Sequence, residues 1–212
     1  NFEACEFTID PCFECAPSMR IRPTREAIEK AVNLISQAKK PLILCGGGIH
    51  ISSAYSELIT FAEKTNIPVA HTISGKGSIP CTHPLNAGLF GRYDRIANKM
   101  INGSDCLLVI GCKLGEIATK RYSLPSKEQT LIHIEVVAEE FDRTIQPAVR
   151  LWSDAKEALK DLYKQIRKVT PEIGSKNASH AASVPIAMQS WRESVSDRLK
   201  SDEKPIDMAR LI

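Results

Sequence analysis

The chain lacks any hydrophobic run long enough to cross a membrane. No run approaches the ~18 apolar residues that a transmembrane helix needs, and no signal-peptide pattern is present. Neither sign of charge is in excess, because 28 Lys and Arg face 25 Asp and Glu, for a net charge of +3 spread along the chain. These absences predict a cytoplasmic protein that binds neither membranes nor nucleic acid.

The cysteine patterns of a disulfide framework and of a structural zinc site are also absent. The seven cysteines are scattered along 212 residues, and an odd, dispersed set is typical of free thiols in a reducing compartment. Cys12 and Cys15 form one C-x-x-C with Cys5 nearby, but a structural zinc site usually needs a second ligand pair. We interpret these three thiols as part of a linker, with a metal or redox role as the open alternative.

No catalytic arrangement stands out either. The sequence shows no Ser-His-Asp or Cys-His set and no pair of carboxylates in an acid/base frame. His50, His71, His83 and His133 are dispersed without the spacing of metal ligands. His71 and His133 lie within predicted strands and are predicted to be core residues. The sequence therefore predicts no catalytic residue and no metal ligand.

What the sequence does contain is an alternation of short apolar runs with segments of helical period. The composition, 43% hydrophobic and 25% charged, is typical of one soluble globular domain. The predicted strands cover 42–45, 68–72, 106–111, 130–136 and 148–152. The predicted helices cover 24–39, 53–64, 92–101, 153–167 and 186–199, with Pro185 at the start of the last. This alternation predicts a doubly wound, mainly parallel α/β sheet.

Two segments carry no periodic pattern. Residues 74–91 contain several glycines and prolines and are predicted to be a long loop. Residues 169–184 are rich in Ser, Ala, Gly and Pro, which is typical of a linker. Residues 1–23 contain three prolines and are interpreted as a leader, and since the chain starts with Asn1 we expect it to be trimmed from a longer protein.

The glycine run after the first strand is the strongest local signal. A buried strand, a glycine turn and a following helix can form a cradle for phosphate, because the turn exposes amide N–H groups at a positive helix end. Ligands of such sheets bind beyond the carboxyl ends of the strands. The residues predicted at these ends are Gly46, Gly47, Gly48, Thr72, Gly111, Lys113 and Glu135.

These residues leave two interpretations open. The glycine amides could bind phosphate, Lys113 could supply a cation, and Glu135 could accept hydrogen bonds from ribose hydroxyls. Alternatively, the glycines only permit tight turns between strand and helix. A nicotinamide fingerprint is not met, because Ile51 stands where its third glycine is required.

Several motifs, in this order, resemble the central domain of thiamine-diphosphate-dependent enzymes, and the acetolactate synthase-like members most. They are Ala38 to Gly48, Ile67 to Thr72, Gly75 to Pro80, His83-Pro84-Leu85, Gly88 to Gly91, Ser104 to Gly115, Ile132 to Glu135 and Ser153-Asp154-Ala155. The resemblance covers about 25–162. It implies a Rossmann-like parallel sheet of about six strands.

In that family the central domain lies between two domains that bind thiamine diphosphate and magnesium, and the motifs of those two domains are absent here. The resemblance therefore implies a leader from an N-terminal cofactor-binding domain over 1–23, the central domain over 24–168, and a linker and the start of a C-terminal domain over 169–212. We expect a fragment that is inactive on its own. The parent enzyme would be a homodimer or homotetramer that acts on pyruvate-like 2-oxo acids.

The family's central domain holds FAD without redox use in acetolactate synthases, ADP in an oxalyl-CoA-type decarboxylase, and nothing in many members. The FAD pattern carries over onto Gly46, Gly47, Gly48, Thr72, Gly111, Lys113, Glu135 and Asp154. Two departures argue against FAD. Lys113 and Ile117 stand where FAD-binding members have arginines, and Glu135-Val136-Val137 replaces an Asp-x-Asp.

Several outcomes stay open for this pocket and for the chain. The pocket could hold FAD, ADP or another adenine nucleotide, or it could be empty. The alternative function is a free-standing nucleotide-binding regulatory module. An NAD-dependent protein deacetylase is disfavoured, because that class needs two C-x-x-C zinc pairs and a catalytic histidine in a matching context.

Overall fold

The computed structural model describes residues 19–143, 145–167 and 170–207. The thiols at Cys5, Cys12 and Cys15 and most of the predicted leader lie outside the described residues, as does the end of the chain after Asp207.

Six parallel strands form one sheet. They are β1 (Pro41–Cys45), β2 (Val69–His71), β3 (Asn86–Leu89), β4 (Cys106–Ile110), β5 (Thr130–Glu135) and β6 (Val149–Trp152). Their spatial order is β3-β2-β1-β4-β5-β6, and every neighbouring pair is parallel. The predicted doubly wound α/β fold is confirmed. The order reverses between β1 and β4, and in such sheets that reversal opens a crevice at the carboxyl ends of the strands.

Seven α-helices accompany the sheet in the described ranges. They are α1 (Arg25–Gln37), α2 (Gly48–Ser52), α3 (Tyr55–Thr65), α4 (Ala97–Gly103), α5 (Ala155–Ile166), α6 (Thr170–Ser194) and α7 (Ser196–Lys200). A short 3-10 helix covers Ala138–Glu140. None of the helices among the described residues is long and apolar enough to span a membrane.

Local sequence explains where the first helix and strand begin and end. Thr24 caps α1, because its hydroxyl oxygen accepts the N–H of Ala27 at 3.3 Å. Ile28, Ala31 and Ile35 repeat at helical spacing and are buried, so α1 presents one apolar stripe to the sheet. All five residues of β1 are buried, as expected for a strand covered by helices on both faces.

The core has two layers, one on each face of the sheet. The first is formed with apolar residues of α1, α3 and α5, and the second with residues of α4. Helix α6 contributes to both, since Ile173 and Ala181 from its first half join the first layer while Val184 and Met188 join the second. The helix therefore passes from one layer to the other.

The structure corrects the predictions for the two segments that lack a periodic pattern. Residues 169–184, interpreted as a linker, belong from Thr170 onward to α6, and Pro185 lies inside that helix rather than at the start of one. The helix has no single apolar stripe, because it packs against different layers along its length. The predicted loop 74–91 contains β3, a four-residue strand with two glycine or alanine positions that give no strand signal.

Two predicted helix boundaries also shift. The predicted helix at 92–101 begins only at Ala97 and runs to Gly103. The chain already turns helical at Gly48, directly after the first glycines, where α2 precedes α3. The division of the chain into domains stays a prediction.

Candidate functional site

The carboxyl ends of β1 and β4 bring two glycine turns together at the reversal of strand order. The N–H of Gly46 donates to the carbonyl oxygen of Ile110 at 2.9 Å, and the N–H of Gly48 donates to that of Gly111 at 3.0 Å. Among the described residues, only Gly47 of the three glycines has an N–H without a protein acceptor. The turn therefore offers one amide to a phosphate, not the several of a typical cradle.

Steric fit gives the glycines a role in the fold. A Cβ at Gly46 would lie 2.1 Å from the carbonyl oxygen of Gly111, and a Cβ at Gly48 would lie 2.6 Å from the Gly111 Cα. Gly111 itself has a φ of +53°, in the left-handed region. The two turns touch through their backbones, so glycine is required there whether or not a ligand binds.

Thr72 and Glu135, the two polar side chains predicted to face a nucleotide, are used by their own loops. The Thr72 hydroxyl accepts the N–H of Gly75 at 3.0 Å. The buried Glu135 carboxylate accepts the N–H groups of Val136 and Val137 at 2.8 and 3.2 Å through one oxygen. Glu135 therefore orders the turn after β5, and one of its oxygens is already engaged.

Asp154 is the most heavily bonded predicted site residue. It caps α5, accepting the N–H groups of Lys156 and Glu157 at 3.0 and 3.3 Å. It also accepts the Ser52 hydroxyl at 2.7 Å and the Arg20 guanidinium at 2.9 Å. Burial would raise the pKa of this carboxyl, but the hydrogen bonds from Ser52 and Arg20 outweigh it and hold the pKa below its usual range.

Through these hydrogen bonds, Asp154 joins three parts of the chain, and we call this group of contacts the Asp154 clasp. Arg20 also donates to the Ser52 backbone oxygen at 2.9 Å, so the segment before α1, the end of α2 and the start of α5 meet at one carboxylate. Sequence reasoning missed Arg20 and Ser52, which belong to no periodic pattern or motif.

The Lys113 ammonium group forms an ion pair with the buried carboxylate of Glu140. Its Nζ lies 3.2 Å from Glu140 Oε1, and Arg143 Nη1 lies 2.5 Å from the other oxygen. The Glu140 side chain is 8% exposed, while that of Lys113 is 66% exposed. Burial would raise the pKa of Glu140, but its hydrogen bonds to Arg143 and Lys113 hold that pKa below the usual range.

A cavity of about 310 Å³ opens beside Lys113. Lys113, Lys127 and Arg143 line it together with Tyr122 and Leu124. The basic residues come from positions 14 and 30 residues beyond Lys113, so no local motif could have predicted their meeting. The residues that line this basic cavity do not include the glycines of the turn after β1.

The family of the chain follows from a match that covers well over half of its length. The family model for the central domain of thiamine pyrophosphate enzymes matches residues 28–162. The chain belongs to this family. The predicted resemblance is confirmed, and the six-stranded parallel sheet agrees with the fold that it implies.

Several curated proteins are similar to this thiamine pyrophosphate enzyme central domain. A probable acetolactate synthase large subunit from Methanococcus aeolicus is 33% identical over 85% of the chain and 29% of its own length. A 3D-(3,5/4)-trihydroxycyclohexane-1,2-dione hydrolase from Clostridium perfringens is 31% identical over 84% of the chain and 28% of its own length. A glyoxylate carboligase from Escherichia coli O157:H7 is 33% identical over 75% of the chain and 27% of its own length. The chain thus spans less than a third of each of these relatives.

His71 and His133 are core residues, as predicted. His71 and His133 are buried, at 5% and 2% exposure. His133 Nε2 lies 3.0 Å from the Cys112 carbonyl oxygen, and burial lowers the pKa of both imidazoles. No group of three or more His, Cys, Asp and Glu in the described ranges could hold a metal ion.

Proposed function

We propose that this chain acts as the non-catalytic central domain of a thiamine-diphosphate-dependent carboligase or decarboxylase of the acetolactate synthase type. In this role it bridges two flanking domains that bind thiamine diphosphate and magnesium. The observation that carries the proposal is that polar groups at the switch point, in Gly46, Gly48 and Asp154, are hydrogen-bonded within the domain itself. A site whose polar groups hold the scaffold can position neighbours but has little left for chemistry.

Further properties of the parent enzyme belong to the same proposal. It acts on pyruvate-like 2-oxo acids, forms a homodimer or homotetramer, and works in the cytoplasm. The cytoplasmic assignment is supported by the free thiols of the part of the chain that the structure describes, which are Cys45, Cys81, Cys106 and Cys112. The proposal assigns thiamine diphosphate and its magnesium ion to the flanking domains.

The test compares the binding of thiamine diphosphate by this chain with its binding by the full-length protein. Thiamine diphosphate with magnesium is titrated into the 212-residue chain by calorimetry, and into the product of the complete reading frame. We expect saturable heat only for the complete product. Saturable binding to the chain alone would contradict the division of roles, and so would a reading frame without flanking domains.

The cavity beside Lys113 favours a second, compatible function, the binding of an adenine nucleotide. Lys113, Lys127 and Arg143 bring basic groups to phosphate oxygens, although Lys113 and Arg143 share the Glu140 carboxylate. The Tyr122 ring is the aromatic surface in the same cavity. Its volume of about 310 Å³ is near the small end of ligand pockets, which suits ADP better than FAD. The amides of Gly46 and Gly48 are used by the backbone, which favours this cavity over the glycine turn as the place for the phosphates.

A thermal-shift panel of FAD, ADP, CoA and NAD tests this second function. A ligand at a hundred times its dissociation constant stabilises the folded state by about 2.7 kcal/mol, which gives a clear rise in Tm. We expect ADP to give the largest rise, Lys113→Ala to remove it, and Lys30→Ala on α1 to leave it unchanged. No rise with any of the four ligands would contradict both the pocket and the alternative of a free-standing nucleotide-binding module.

A further inference from the structure

A second basic cavity lies between α4 and α6, away from the carboxyl ends of the strands. Its volume is about 490 Å³. Lys40 directly precedes β1 and Gly103 ends α4 before β4, so one end of the cavity lies at the amino edge of the sheet. This cavity is separate in sequence and in place from the one beside Lys113.

The lining of this cavity is cationic. Lys40, Arg95 and Lys99 line it, and no Asp or Glu does. Within the described residues, none of these three cations forms an ion pair with a carboxylate. The nearby carboxylate of Asp105 accepts the backbone N–H groups of Lys39 and Lys40 at 2.6 and 2.9 Å and is held outside the lining. Three unneutralised positive charges in one concave site attract a multivalent anion.

An aromatic ring and an imidazole also line the cavity. The Arg95 guanidinium carbon lies 4.4 Å from the centre of the Trp191 ring, a cation–π contact that holds the arginine at the cavity. His180 also lines the cavity, and its Nε2 is buried with no hydrogen-bond partner. A buried polar atom without a protein partner is available to a water molecule or to a bound ligand.

We propose that the α4–α6 cavity binds a small organic molecule that carries phosphate groups. The three cations match the charge of a diphosphate or triphosphate, and the arginine fork suits its oxygens. The cavity exceeds the size of the phosphates alone, which leaves space against Trp191 for an organic part. The proposal does not rest on the nucleotide cavity beside Lys113.

The test uses the fluorescence of Trp191. The chain has two tryptophans, and Trp152→Phe leaves Trp191 as the reporter. Sodium tripolyphosphate is titrated into the Trp152→Phe chain at constant ionic strength, after circular dichroism has shown native helix content. Tripolyphosphate contains no base or ribose, so the response depends on phosphate alone. We expect a saturable change in emission.

Matched variants in the same background locate the binding. Lys99→Ala and Lys40→Ala should each weaken binding about tenfold, because each removes a charge-assisted hydrogen bond. Lys30→Ala and Lys113→Ala should leave it unchanged. The proposal is overturned if emission does not saturate, which indicates an adventitious ion only, or if Lys113→Ala abolishes the response while Lys99→Ala does not.

Discussion

The N–H of Gly48 donates to the carbonyl oxygen of Gly111 at 3.0 Å, and this contact joins the turns after β1 and β4. A Cβ on either glycine would lie within 2.6 Å of the other's Cα. The glycine motif that is typical of a phosphate cradle therefore acts here as a backbone contact between adjacent strands. The switch point is closed by the protein's own hydrogen bonds.

Gly48→Ala should destabilise the chain by about 3 kcal/mol, because the new methyl group meets backbone that cannot move aside. Urea unfolding followed by circular dichroism measures the change. Gly103→Ala is the matched control, since a Cβ there has nothing within 4 Å. We expect the control to lie within about 0.5–1 kcal/mol of the parent chain. Equal effects of both variants would contradict the steric role of Gly48.

Asp154→Asn should lower the free energy of unfolding at pH 7 by about 1 kcal/mol. It should also make the free energy of unfolding less dependent on pH in the acid range. Asparagine retains the cap of α5 but loses the charge that pairs with Arg20. The pKa of Asp154 is lowered in the folded state, so its contribution is present above the unfolded pKa of about 3.9 and is lost as pH falls through the folded pKa.

Urea unfolding of both proteins between pH 7 and pH 3 checks this prediction. The difference between parent and variant should shrink as the pH falls below about 4. Ser179→Ala, a change at an exposed residue of α6, serves as the control with a constant difference. A gap between parent and Asp154→Asn that stays constant with pH would contradict the Asp154 clasp.

Glu140→Gln should raise the affinity of the Lys113 cavity for ADP. The carboxylate neutralises Lys113 and Arg143, and its removal frees both cations for phosphate. We expect up to about fivefold tighter binding, the equivalent of one partly exposed ion pair. Calorimetric titration with ADP measures it, and Glu139→Gln is the adjacent control. Weaker binding in Glu140→Gln would show that the carboxylate orients the cations instead.

Asn177→Ala should weaken the packing of the first half of α6 against α3 and so lower the free energy of unfolding. The Asn177 side chain is fully buried, and its amide donates to the Thr65 carbonyl oxygen at 2.9 Å at the end of α3. Loss of this donor leaves a buried carbonyl unpaired and should cost about 1–3 kcal/mol. Urea unfolding measures the cost against Ser179→Ala, an exposed neighbour. A cost no larger than that of the control would show that the hydrogen bond from Asn177 does not stabilise the packing of α6 on α3.

Sequence reasoning predicted five of the six strands and the helices whose apolar residues repeat on one face, α1, α3 and α5. It failed where packing rather than pattern decides. Helix α6 buries Asn177 and Gly174 as well as apolar residues and touches two layers, so its sequence resembles a linker. Strand β3 is held by its pairing with β2 rather than by its own propensity.

The sequence by itself determined the fold class and the family, because both depend on local period and on the order of short motifs. Only the tertiary structure decided what the predicted site residues do. Whether an amide, a carboxylate or an ammonium group is available to a ligand depends on partners that are distant in sequence. Gly48 is satisfied by Gly111, Asp154 by Arg20 and Ser52, and Lys113 by Glu140. Hydrogen bonds act over about 3 Å in space, at any separation along the chain.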